Sequence, residues 1–81
     1  MDETGKRLVG CFQLVFPDLR EDQIPAASQE TVAAWDSVAA ITLVNVIEDE
    51  FGLQMDFDDL ADLDSFDKVC SYLRQRLQTV Q

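Results

Sequence analysis

The sequence predicts an all-α domain of four helices, with a short third helix and a long connection between the first two. Three segments repeat apolar residues at intervals of three and four, which is the spacing of one helix face. Residues 17–35 hold two prolines and keep no helical or strand period, so they are expected to form the long connection. No segment alternates apolar and polar residues as a half-buried strand does.

The first helix is expected from about Thr4 to Phe16, because Pro17 directly follows and disfavours helical backbone before it. Its core-facing residues should be Leu8, Cys11, Phe12 and Val15. The connection that follows should be anchored to the core by Leu19, Ile24 and Val32.

The second helix is expected over residues 37–51 and has the clearest signals at both ends. Asp36 is a favoured N-cap residue, because its carboxylate accepts free backbone N–H groups of the first turn. Gly52 suits the left-handed position that ends many helices. The core-facing residues should be Ala40, Leu43, Val44, Ile47 and Phe51.

Two further helices are expected in the C-terminal part of the chain. A short third helix is predicted over residues 56–62, which are rich in aspartate. A fourth helix is predicted from about Phe66 to Leu77, with Asp64 or Ser65 as its cap.

Length, charge and cysteine content restrict the function. Eighty-one residues form one domain, over residues 1–81. The net charge of −10 disfavours nucleic acid and anionic membranes as partners, and it favours proteins with basic patches. No apolar run is long enough to cross a bilayer and no signal peptide is recognisable, so we expect a cytoplasmic protein. Cys11 and Cys70 form no metal-ligand pattern, and we interpret them as core residues.

A second stripe on the second helix is expected to face outward, because it lies away from the core-facing side. It mixes a hydroxyl, apolar side chains and acids: Ser37, Ile41, Asn45 and Glu48, with Val38 and Asp49 beside it. Ser37 occupies the first helical position, where free N–H groups and the helix dipole stabilise an attached phosphate.

Intrinsic catalysis and metal binding are not supported by the residues. A nucleophilic serine needs a neighbouring base, and the chain has no histidine. The aspartates from Asp56 suggest a calcium loop, but Leu60 and Ala61 occupy the fifth and sixth positions, where that loop needs an acid or Asn and then Gly. We therefore expect neither an enzyme nor a metal site.

Four features follow one another in the chain: Asp36-Ser37-Val38, the apolar helix ending in residues 47–52, the acidic short helix and the last amphipathic helix. Together they resemble the acyl carrier protein family. The resemblance covers nearly the whole chain and is nearest to stand-alone carriers with Trp-Asp-Ser at the attachment position. It implies a four-helix bundle and a 4′-phosphopantetheine cofactor, which a separate phosphopantetheinyl transferase attaches from coenzyme A. Two positions depart from the common pattern: Ala34, where Gly is frequent, and Val38, where Leu or Met is usual.

The resemblance also implies roles for individual residues. Ser37 matches the serine that carries the cofactor, and Asp36 matches the acid that assists transferase recognition. Partner binding is expected at Val38, Ile41, Asn45, Glu48 and Asp49. The implied partners are the transferase and enzymes that load or process acyl or aminoacyl groups, in fatty acid, polyketide or related biosynthesis, with the carrier a monomer. The alternative is an acidic helical adaptor that binds a basic partner without being modified. For Trp35, packing over the connection and the first turn of the second helix is favoured over contact with partners.

Overall fold

The computed structural model describes residues 2–78, except for the side chains of Phe57 and Gln78. Four α-helices follow one another in the chain: α1 (Glu3–Val15), α2 (Ser37–Phe51), α3 (Phe57–Leu60) and α4 (Phe66–Gln78). A short 3₁₀ helix over Ile24–Ala26 lies in the connection between α1 and α2. No strand occurs in the described part of the chain, and the predicted all-α fold is confirmed.

Helix α1 begins at a capped N-terminus and ends one residue before the predicted Phe16. The Asp2 carboxylate accepts the Gly5 backbone N–H at 2.9 Å, and it also pairs with Arg74 of α4 at 3.0 Å. The Phe16 N–H still bonds to the Phe12 carbonyl at 2.7 Å, and Pro17 then ends the helix.

The long connection is held by apolar anchors and by backbone hydrogen bonds to the start of α4. Ile24 and Val32 are buried and Leu19 is half-buried, which confirms the three predicted anchors. The Gln29 N–H donates to the Asp64 carbonyl at 2.9 Å, and the Phe66 N–H donates to the Ala27 carbonyl at the same distance. These bonds hold the connection against the fourth helix and shape the segment that leads to α2.

Helix α2 has the predicted bounds, and Gly52 has the left-handed conformation (φ 65°) expected beyond its C-terminus. Helix α3 is shorter than predicted, a single turn where residues 56–62 were expected. The hydrogen bonds around it span three residues, such as Asp62 N–H to the Asp59 carbonyl at 3.1 Å, and this tighter turn does not continue as α-helix.

Helix α4 begins where it was predicted, and Ser65 is its cap. The Ser65 hydroxyl accepts the Lys68 N–H at 3.2 Å, whereas the Asp64 carboxylate pairs with the Lys68 ammonium at 3.0 Å. Of the two caps proposed from the sequence, the structure therefore selects the serine.

The core lies between α1, α2, α4 and the 3₁₀ segment. Its six largest fully buried side chains are Phe12, Leu8, Ile24, Ile47, Leu73 and Val69. An aromatic cluster surrounds Phe12, whose ring centroid lies 5.3 Å from those of Trp35 and Phe66. Cys11 and Cys70 are both buried and unpaired, as expected of core residues.

Candidate functional site

Ser37 is the first residue of α2, and its side chain is exposed. The preceding Asp36 has extended backbone (φ −100°, ψ −172°), and its carboxylate accepts the Ala39 N–H at 2.8 Å. Its carbonyl accepts the Ala40 N–H at 2.9 Å. Asp36 is thus the N-cap that the sequence predicted, and it satisfies two N–H groups of the first turn.

Two first-turn N–H groups remain available at this end of α2. Within residues 2–78, neither the Ser37 N–H nor the Val38 N–H has an acceptor, and the Ser37 hydroxyl has no hydrogen-bond partner. Free N–H groups at a helix N-terminus favour an anionic group through direct hydrogen bonds and the helix dipole. A phosphate on the Ser37 oxygen would therefore lie in a favourable environment.

Trp35 anchors the chain just before the site. Its side chain is 4% exposed and packs against the rings of Phe12 and Phe16, at centroid distances of 5.3 and 5.8 Å. The backbone N–H of Trp35 donates to the Val32 carbonyl at 3.0 Å. The packing role predicted for this residue is confirmed. A buried anchor two residues before the exposed hydroxyl holds Ser37 in a fixed position relative to the core.

The outer stripe of α2 is accessible along most of its length. Val38 is 73% exposed and Ile41 45% exposed, so both offer apolar area on this face of α2. Asn45 and Asp49 are also exposed. Glu48 differs, because it is half-buried and its carboxylate accepts the Met55 backbone N–H at 2.8 Å.

A surface groove of about 320 Å³ begins at Ser37 and runs between α2 and α3. The residues that line it with Ser37 are Gln29, Ala40, Ile41, Leu60 and Ala61. None of these side chains can act as a general base, so nothing in the groove activates the hydroxyl as a nucleophile. The sequence did not predict that Gln29, Leu60 and Ala61 would lie here, because the position of the single-turn α3 depends on contacts between distant segments.

A separate small cavity lies inside the domain, behind the groove. Its volume is only about 10 Å³, close to the least that holds one water molecule. It is lined by Trp35, Ala40, Leu43, Val44, Ile47, Met55, Leu60, Leu63 and Val69. The Phe51 ring is half-buried and lies beneath the Arg7 guanidinium, 4.5 Å from the ring centroid.

The described residues bring no three Cys, Asp or Glu side chains together in an arrangement that could hold a metal ion. None of the helices in the described range is long and apolar enough to cross a bilayer.

The fold, with an exposed serine at the first position of a capped helix, is that of a small helical domain suited to carrying a covalently attached group. Residues 35–73 match the family model described as the phosphopantetheine attachment site. Members of that family bind 4′-phosphopantetheine covalently and act as carriers rather than catalysts. The match confirms the resemblance to acyl carrier proteins and the expected cofactor. Comparison with curated proteins gave no significant match, and neither did comparison with solved structures.

Proposed function

We propose that this protein is an acyl carrier, and not an enzyme, which holds acyl or aminoacyl intermediates on 4′-phosphopantetheine attached to Ser37. The cofactor supplies the thiol that binds the intermediate as a thioester. The single observation that carries the proposal is the exposed Ser37 hydroxyl at a capped helix N-terminus, inside the segment that matches the attachment-site family.

The other serines of the matched segment are poorer candidates. The Ser65 hydroxyl caps α4 by accepting the Lys68 N–H at 3.2 Å. Ser71 lies inside α4, where the backbone N–H groups are used by the helix and cannot bind a phosphate. Ser37 alone among the three combines an unbonded hydroxyl with free first-turn N–H groups in the described structure.

We assign transferase recognition to Asp36 and partner binding to the outer stripe of α2. Val38 and Ile41 offer apolar contact area, while Asn45, Glu48 and Asp49 surround it with polar and acidic groups. Partner enzymes with basic patches fit this combination, because charge complementarity speeds encounter while a small apolar contact permits rapid release. A carrier needs both properties, since it must leave one enzyme to visit the next.

We propose a group of related pathways and no single one. Fatty acid, polyketide and related biosynthesis all use acyl thioesters on such carriers, and the partners would be their loading and processing enzymes. We place the protein in the cytoplasm as a monomer, where coenzyme A and the transferase meet it.

The test is the intact mass of the purified protein after incubation with coenzyme A, Mg²⁺ and a promiscuous phosphopantetheinyl transferase. The proposal predicts a gain of one phosphopantetheine. The Ser37 oxygen loses its proton and bonds to the phosphorus that carries pantetheine, the pyrophosphate bond of coenzyme A breaks, and the adenosine bisphosphate leaves. Unchanged mass, with a known carrier modified in the same tube, would favour the acidic adaptor instead.

A further inference from the structure

Leu14 of α1 is the most exposed large apolar side chain of the described residues, at 75%. Val38 and Ile41, which belong to the surface already assigned to partner binding, are the other two exposed side chains of this kind. A single exposed leucine is common on a protein surface, whereas contiguous apolar area marks sites of protein contact. The position of Leu14 relative to Val38 therefore decides whether it belongs to a contact surface.

Helices α1 and α2 run in opposite directions, so the end of α1 lies beside the start of α2. Arg7, near the start of α1, donates from its Nε to the Glu50 carboxylate in the last turn of α2 at 2.9 Å. At the other end, the Phe16 ring lies 5.8 Å from the ring of Trp35, which precedes Ser37 by two residues. The end of α1 is thus at the same end of the domain as the proposed attachment site.

Leu14 lies on the edge of α1 that is next to α2. It follows Arg7 by seven residues, or two turns, and so lies on nearly the same side of the helix. Two turns advance about 10 Å along α1, and the same distance from Glu50 back along α2 ends close to the level of Thr42. Thr42 is exposed, and its hydroxyl donates to the Val38 carbonyl at 3.1 Å, so its polar group is satisfied within α2. Leu14, Thr42 and Val38 therefore form an uncharged band across the two helices.

Gly10 adds a second feature to this part of α1. It precedes Leu14 by about one helical turn and is exposed. A Cβ atom at Gly10 would meet nothing within 4 Å, so no contact in the described part of the chain requires glycine there. Glycine inside a helix is destabilising relative to alanine, and it leaves the backbone bare. The fold gains nothing from this glycine, but the notch that it leaves beside Leu14 lets another protein approach the backbone closely.

We infer that the phosphopantetheinyl transferase docks on an apolar band that α1 and α2 form together. The band consists of Gly10, Leu14, Thr42 and Val38. The inference rests on the proposed attachment at Ser37, and it adds α1 to the surface assigned on α2. An enzyme that buries about 600 Å² of each partner covers an area roughly 28 Å across. A contact of that size over Ser37 includes the adjoining ends of both helices.

The charges around the band specify the chemistry of the transferase surface. Glu48 and Asp49 lie almost three turns beyond Val38 along α2, so the acids are at one end of the contact and the apolar band at the other. The Arg7 guanidinium, on the same side of α1 as Leu14, is already paired with a carboxylate. The transferase surface is therefore apolar where it covers the band and basic where it meets the acids of α2.

The test compares the steady-state kinetics of modification by the promiscuous transferase, with coenzyme A and Mg²⁺, followed by intact mass. A parent protein that gains no phosphopantetheine refutes the proposed function, whereas differences among variants test the band alone. Leu14→Gln removes the apolar side chain and keeps a good helix former, and Gly10→Gln fills the notch. Gln13→Ala is the matched control, because Gln13 is an exposed α1 residue that lies about 100° around the helix from Leu14.

We expect Leu14→Gln to raise the KM for the carrier about fivefold with kcat nearly unchanged, because the lost contact serves binding before and during transfer alike. The factor should be the same at low and moderate salt, whereas the factor for Glu48→Gln should shrink as salt screens its charge. Gly10→Gln should raise the melting temperature, since glutamine favours a helix, and should nevertheless raise KM. Gln13→Ala should keep the KM of the parent.

Three results would overturn the inference. Leu14→Gln or Gly10→Gln could be modified with the KM of the parent, or Gln13→Ala could raise KM as much as they do. The effect of Leu14→Gln could disappear at moderate salt, which would assign it to electrostatics. Sedimentation of the parent could show a dimer that Leu14→Gln dissociates, which would mean that the band binds a second copy of the chain instead.

Discussion

The Glu48 carboxylate of α2 accepts a hydrogen bond from the Met55 backbone N–H at 2.8 Å. The bond reaches across the connection between α2 and α3, where Met55 is buried and lines the internal cavity. The same connection is held from the other side, because the Arg76 guanidinium of α4 donates to the Gln54 carbonyl at 2.6 Å. Glu48 is therefore a structural residue as well as a candidate docking residue, and its two roles make different predictions.

Glu48→Gln should separate those roles, because the amide keeps an acceptor for the Met55 N–H and removes the charge. Its free energy of unfolding should stay close to that of the parent, whereas Glu48→Lys removes the acceptor and should cost about 1–3 kcal/mol. Denaturant unfolding measures this difference.

The docking role predicts that Glu48→Gln and Glu48→Lys both slow modification by the transferase at low salt, with Lys the slower. Asp49→Asn is the companion variant, because it removes another charge assigned to partner binding and leaves the Glu48–Met55 bond intact. It should also slow modification, with the free energy of unfolding unchanged. Equal rates for Glu48→Gln and the parent would mean that Glu48 serves only the fold.

Substitutions of Asp36 can likewise separate its capping of α2 from the role of its charge in transferase recognition. Asp36→Asn keeps a good N-cap, while Asp36→Ala loses it and should destabilise the protein by about 1 kcal/mol. Both variants lose the carboxylate assigned to transferase recognition, so both should be modified more slowly. If Asp36→Asn were modified as fast as the parent, the carboxylate would matter for capping alone.

The Asp2–Arg74 ion pair should make part of the stability depend on pH. The hydrogen bonds from Arg74 and from the Gly5 N–H lower the pKa of Asp2 from 3.8 to about 2. A carboxyl with a lowered pKa in the folded state stabilises it above pH 3.8, and this contribution is lost as the pH falls towards 2.

The matched variant is Asp2→Asn, which can still accept the Gly5 N–H but does not titrate. As the pH drops from 3.8 to about 2, the melting temperature of the parent should fall more steeply than that of Asp2→Asn. The melting temperatures of the two proteins should converge near pH 2. Parallel curves would show that the ion pair contributes nothing in solution, as is common for exposed pairs.

The two thiols should react slowly in the folded protein. Burial raises the pKa of Cys11 to about 11 and also raises the pKa of Cys70, so little thiolate exists at neutral pH. A disulfide reagent should label neither residue quickly in the native state and both at once in denaturant. Rapid labelling of the native protein would mean that α1 or α4 opens readily.

Local signals explain how much of this structure could be predicted from the sequence. The bounds of α2 follow from Asp36 and Gly52, whose capping preferences act within one helical turn. The position of Ser37 follows from the same signals, and so does the exposure of Val38 and Ile41, because helical periodicity separates the outer stripe from the core face.

Features that depend on distant segments could not be predicted in the same way. Periodicity places Glu48 on the outer stripe, but it contains no information on the returning chain that brings the Met55 N–H to its carboxylate. The groove wall formed by Ala40 and Leu60 could not be predicted for the same reason, because it depends on the position of α3 relative to α2. The 3₁₀ helix around Pro25 lay in a segment without any period and was missed.

The most direct test of the account is the location of the added group, found by proteolysis and tandem mass spectrometry of protein treated with coenzyme A, Mg²⁺ and transferase. The account predicts a single phosphopantetheine on the peptide that contains Ser37, retained in Ser71→Ala and lost in Ser37→Ala. A modified peptide containing Ser65 or Ser71, or an Ser37→Ala protein that still gains the group, would contradict it.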